Sequence, residues 1–147
     1  MKLFRIAITL LLWISALPAL ANSVSQAVDL TKLGNGKNSV YYFSSGGILY
    51  GFLEGQDFTS FALETSNGRS VPMTASGEAQ TTTREPPGNG DKQCVEWLQR
   101  CWDSKQTQIA VCSARCTKRK KAESEEAIDA GPQTSVYLSI SAPGKID

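Results

Sequence analysis

The apolar positions of this chain change period along its length. Between Asn38 and Ala75 they follow strand chemistry. Val40-Tyr41-Tyr42-Phe43 is β-branched and aromatic, the composition that suits a pleated, half-buried surface. Ser44 to Gly47 interrupts it, and Ile48 to Leu53 follows. The pair predicts a hairpin with a four-residue loop. Gly51, inside the second run, marks a bulge or a point where another group approaches closely. Phe58 to Ser66 predicts a third strand with Phe61, Leu63 and Thr65 on one face. Asn67-Gly68 then predicts a type I′ turn, which sets Ser66 opposite Arg69 and Leu63 opposite Pro72. Pro72 has no N–H, so Arg69 to Ala75 belongs at a sheet edge or a bulge.

The flanking segments read differently. Asn22 to Lys37 predicts a short helix capped by Ser23 or Ser25 and stopped at Gly34, with Val24, Ala27 and Val28 on one face. An extended arm is the alternative there. Ser76 to Gln93 is polar and rich in Gly, Pro and Thr. It predicts a long surface loop, with Glu78 to Arg84 able to form a further edge strand. Thr117 to Gln133 predicts a solvated helical tail with Arg119–Glu123 and Lys121–Glu125 pairs. The cations of Lys118 to Lys121 are offset by nearby acids, which argues against an anion-binding patch. Val136, Leu138 and Ile140 then alternate with polar neighbours and predict a final strand over 134–142.

The span from Cys94 to Cys116 holds all four cysteines. Cys94, Trp97, Leu98 and Cys101 recur at i, i+3, i+4 and i+7. With Asp91 as N-cap they predict a helix over 91–103. Ile109, Cys112, Ser113 and Cys116 fit a second helical face, although Ile109 and Val111 alternating against Ala110 and Cys112 also suit a strand. Helix is the reading adopted for both arms.

Cys94 and Cys101 on one intact helix would lie about 10.5 Å apart along the axis. A disulfide needs Cα atoms about 4.4–6.8 Å apart, so these two cannot bond within the helix. Ten residues separate Cys101 from Cys112, enough for the arms to turn back antiparallel. The nested pairing Cys101–Cys112 and Cys94–Cys116 follows. Seven residues on one arm then face four on the other, a mismatch that an extended second arm would reduce. Successive cysteines are separated by six, ten and three residues. That spacing lacks the tight pair on both sides that a four-cysteine zinc site uses, and no redox C-x-x-C is present. Trp97 shares the cysteine face and is expected in the core. Trp102 is the candidate for an exposed partner contact.

The chain opens with Lys2 and Arg5, an apolar stretch from Ile6 to Leu17, and Ala19-Leu20-Ala21. This is the grammar of a cleaved signal peptide over 1–21 and predicts export to the periplasm or beyond. Such a destination favours disulfides. No apolar run after residue 21 is long enough to predict a membrane span. The remainder, 22–147, is one domain's worth of chain. It divides into a sheet over 38–85, a disulfide-stapled segment over 91–122 and the last strand.

Without Lys2 and Arg5 the chain carries 13 basic and 14 acidic residues. That balance argues against non-specific nucleic-acid binding. Histidine is absent, which removes Ser-His-Asp and Cys-His catalysis and every imidazole metal site.

The expected fold is therefore α+β, a small antiparallel sheet packed against a disulfide-stapled helical hairpin. The expected function is an exported, non-catalytic binding protein without a cofactor, such as an inhibitor or immunity protein whose partner is another protein. A structural or accessory subunit of the cell envelope is one alternative. A carboxylate-dependent cell-wall hydrolase is another, with Glu54, Asp57, Glu64, Glu78 and Glu85 supplying its acids.

Overall fold

Strand alternation extends well beyond the segments where the sequence predicts it. The computed structural model describes residues 22–82, 92–121 and 126–143. The expected signal segment, Glu85, Asp91, Glu123 and Glu125 lie outside the described residues. Among the described residues eleven strands follow in chain order. They are β1 (Asn22–Asp29), β2 (Gly36–Tyr42), β3 (Ile48–Glu54), β4 (Asp57–Glu64), β5 (Ser70–Pro72) and β6 (Thr74–Ala75), then β7 (Gln80–Thr82), β8 (Cys94–Ser104), β9 (Ile109–Lys120), β10 (Ala127–Asp129) and β11 (Ser135–Ala142). A 3₁₀ turn at Leu30–Lys32, capped by the Asp29 side chain, is the one helical element among the described residues.

The strands form two antiparallel sheets. One has the order β1-β11-β9-β8-β6, with β10 beside β9 and β7 beside β8. The other has the order β2-β3-β4-β5. Only Met73 separates β5 from β6, and its N–H bonds the Phe61 carbonyl at 3.0 Å. One stretch of chain therefore leaves the second sheet and joins the first, as strands do at the corner of a packed sheet pair. Leu49, Phe58, Phe61 and Leu63 from one sheet share a core with Trp102, Ile109, Val111 and Leu138 from the other. The result is a β-sandwich.

This corrects the α+β expectation. Both cysteine arms are strands, and there is no helical hairpin among the described residues. The 94, 97, 98, 101 spacing that reads as a helical stripe belongs to a bulged strand. The β8–β9 register shifts between Cys94 and Glu96 and again between Glu96 and Trp97, and a bulge changes which residues share a face. The short helix expected from Asn22 is β1 instead. The expected helical tail is also corrected: Lys118 to Lys120 lie in β9 and pair with β10.

The hairpin at Asn67-Gly68 differs by one residue from expectation. The Gly68 N–H bonds the Thr65 carbonyl at 2.9 Å, and the Thr65 N–H bonds the Arg69 carbonyl at 2.8 Å. The loop therefore has three residues, with Gly68 at φ +83°, as in a type I turn followed by a glycine bulge. A type I′ turn needs positive φ at Asn67, and Gln108 is the one non-glycine residue with positive φ among those described. Leu63 consequently faces Val71, and Ala62 faces Pro72. That register buries Val71 at 5% exposure. Pro72 lies on the edge strand β5, where its missing N–H costs no ladder bond.

Gly51 is a close-approach point. A Cβ there would lie 2.6 Å from Phe58 Cε1. A register shift in the β3–β4 ladder turns both Phe58 and Phe61 inward, with ring centroids 5.1 Å apart. The two rings occupy the space that a side chain at residue 51 would need.

Candidate functional site

Cys101 and Cys112 stand directly opposite each other on β8 and β9 and are bonded, with Cα atoms 4.0 Å apart. Cys94 and Cys116 are also bonded, at 5.9 Å between Cα atoms. They are not opposite: Cys94 faces Arg119, and Cys116 faces Trp97. The ladder is irregular on both sides of Glu96, and the bond crosses it diagonally, since Cys116 lies three positions before Arg119, the partner of Cys94. All four cysteines are held in disulfides. No group of three or more potential metal ligands exists among the described residues. The segment is a covalent clasp across the β8–β9 hairpin, and the two bonds are consistent with an oxidising, exported environment.

The two tryptophans lie on opposite faces of β8. Trp102 points into the sandwich, is 4% exposed and meets the Phe61 ring at 4.8 Å between centroids. The expectation that Trp102 is an exposed contact is therefore corrected. The ladder from Trp97 to Ser104 has no register shift, so plain strand alternation puts these two residues on opposite faces, which a reading based on a helical stripe misses. Trp97 is buried at 2% in a second, smaller cluster with Cys94, Ala114 and Cys116, against the Tyr137 ring at 5.2 Å. Its indole Nε1–H has no hydrogen-bond partner. A recess of about 100 Å³ adjoins it, lined also by Arg119, Gln133 and Ser135.

Of the carboxylates proposed as acids, Glu54, Asp57 and Glu64 lie on the second sheet. Asp57 accepts a hydrogen bond from Arg115 Nε at 2.7 Å, an ion pair that ties β4 to β9 across the sandwich. Glu54 pairs with Asp57 across the β3–β4 turn, and both border an open depression with Arg115. Glu64 neighbours Tyr50, whose phenol is pushed up by partial desolvation and by that carboxylate. The Lys37 ammonium sits over the same ring, 4.1 Å from its centroid. Glu78 is exposed. In the basic run, Lys118 lies 4.0 Å from Glu96, and Arg119 donates to Gln133 at 3.3 Å.

Another opening lies between β1, the end of β2 and β11. Val24 of β1, Tyr41 and Tyr42 of β2, Phe43 and Ser44 just after it, and Ile140 and Ala142 of β11 wall a cleft of about 310 Å³. None of its lining residues is charged. A bulge in β2 between Ser39 and Tyr41 sets the local geometry. Tyr41 and Phe43 turn toward the core and meet edge to face at 4.9 Å. Tyr42, between them, is 68% exposed. Val24 stands on the inward face of β1, yet the second sheet does not cover it fully, and it is 37% exposed.

Sequence reasoning placed Tyr41, Tyr42 and Phe43 in a strand and missed the cleft. The available signal was three consecutive aromatics in one strand, since alternation must turn at least one of them away from the core. The cleft depends on sheet stacking between residues distant in sequence, and no local pattern encodes that.

Comparison with protein-family models, with curated proteins and with solved structures finds no significant match. No helix among the described residues is long and apolar enough to cross a membrane.

Proposed function

We propose that this chain is an exported, non-catalytic binding protein and that the cleft beside Tyr42 takes an apolar segment of another protein. The observation that carries this reading is a large, exposed aromatic ring on an uncharged, mainly aromatic and aliphatic cleft. Tyrosine is enriched among residues that dominate binding energy. The cleft is of a size that ligand sites commonly have. Two disulfides and the signal-like leader support a role outside the cytoplasm. An inhibitor or immunity protein acting on a secreted or envelope protein is the role this chemistry suits.

A carboxylate-dependent hydrolase is the second reading, favoured by Glu54 and Asp57 sharing one depression. Against it, the Asp57 carboxylate is engaged by the Arg115 guanidinium at 2.7 Å.

The test is comparative affinity capture from the exported fraction. Wild-type protein is expected to retain a discrete partner. Tyr42→Ala is expected to weaken that retention by at least about tenfold, the size of effect expected of an aromatic anchor, with thermal stability unchanged. Equal retention by both forms would sink the reading.

A further inference from the structure

We propose that the free edge of β1 pairs antiparallel with β1 of a second copy of this chain, about a twofold axis passing beside Gln26. The inference goes beyond the cleft reading and rests on the backbone of β1.

The ladder register identifies which backbone groups are free. Leu30 N–H donates to the Thr134 carbonyl at 2.8 Å, continuing the β1–β11 pairing by one residue. Residues along an antiparallel ladder alternate between bonding to the neighbouring strand and pointing away from it. Val24, Gln26 and Val28 therefore bond to β11. Ser23, Ser25, Ala27 and Asp29 aim their backbone groups at the open side, where no strand pairs among the described residues.

This edge also lacks the usual guards. Edge strands are commonly blunted by lysine, proline, a bulge, an inward charge or shortness. β2 has a bulge and Lys37. β5 has three residues and contains Pro72. β7 and β10 have three residues each. β1 has eight residues in unbroken register, without lysine, proline or an inward charge.

The strand is complementary to itself in one register. With Ser25 opposite Ala27 of the second copy, every inward side chain meets an inward side chain. Val24 then faces Val28 of the second copy, and Gln26 faces Gln26 at the axis. Asp29, the only charged residue in the strand, faces Ser23, so no like charges meet. Shifting the register by one residue would oppose the two faces of the sheet. Shifting it by two would set Val24 against Gln26. The outward side chains Ser23, Ser25 and Ala27 are small and exposed, and they leave the approach open.

The test uses the chain purified with its disulfides intact. Light scattering over a concentration series is expected to show a monomer–dimer equilibrium. Amide hydrogen exchange on the same samples is expected to show protection of Ser25 and Ala27 rising with concentration, with Val24, Gln26 and Val28 protected throughout. Ser25→Pro removes a donor that β11 does not use and should give a monomer with an unchanged melting temperature. If that variant does not fold, the alternating exchange pattern of the wild type decides alone. A wild-type chain still monomeric at about 1 mM would overturn the proposal. So would a dimer in which Ser25 and Ala27 exchange freely, or one that survives Ser25→Pro. Tyr42 lies outside β1, so Tyr42→Ala should leave the dimer intact, and the two readings fail separately.

Discussion

Gln26 of β1 donates its side-chain amide to the Val40 carbonyl of β2 at 2.9 Å. Val40 is the bulged residue, without a partner in the β2–β3 ladder. One side chain thus satisfies a carbonyl that the bulge frees, and it ties the edge of one sheet to the edge of the other. Gln26→Leu keeps the bulk and removes the donor. It should cost about 1 kcal/mol, the usual net value of such a bond, read as a lower midpoint in chemical denaturation.

The two disulfides close loops of different size, with sequence separations of 11 and 22 residues. Loop entropy gives each about 3 kcal/mol, slightly more for the longer one. Replacing Cys94 and Cys116 together by alanine should therefore destabilise somewhat more than replacing Cys101 and Cys112. Equilibrium unfolding of the two double variants checks the order.

Gly51 touches the Phe58 ring, so even one methyl group is too large. Gly51→Ala should destabilise by about 1–3 kcal/mol, the range for overpacking a filled core. Adding Phe58→Leu should recover part of the loss, because it removes the atoms that clash. A thermal melt of the single and double variants measures both effects.

The Asp29 carboxylate accepts hydrogen bonds from the Thr31 hydroxyl at 2.6 Å and the Thr31 N–H at 3.0 Å. These hold its carboxyl below the ordinary value. A depressed carboxylate pKa contributes stability above the unfolded value, and the contribution is lost as pH falls through the folded value. Thr31→Val should raise the Asp29 pKa toward normal, as followed by NMR titration. The variant should be less stable than wild type near neutral pH and equally stable once Asp29 is protonated in both.

The sequence was informative where strand alternation is regular. Phe61, Leu63 and Thr65 share a buried face, as do Val136, Leu138 and Ile140. Cysteine spacing led to the nested connectivity that the structure contains, although by way of a helix that does not exist. The failure lay in β8, where the irregular ladder puts Cys94 in the cluster of Trp97, while strand alternation turns Leu98 to the face of Trp102. Reading a helix there placed Trp102 outside. Sheet stacking creates the cleft from residues as far apart as Val24, Tyr42 and Ile140, so single-segment periodicity cannot reveal it.

The most direct measurement for the binding account is photocross-linking from position 42. A photoreactive p-benzoylphenylalanine replaces Tyr42 in the full chain, and cells expressing it are illuminated. The account predicts one discrete adduct whose mass spectrum identifies another exported protein, and no such adduct from the same reagent at exposed Asp129. No adduct at position 42, or equal adducts at both positions, would contradict it.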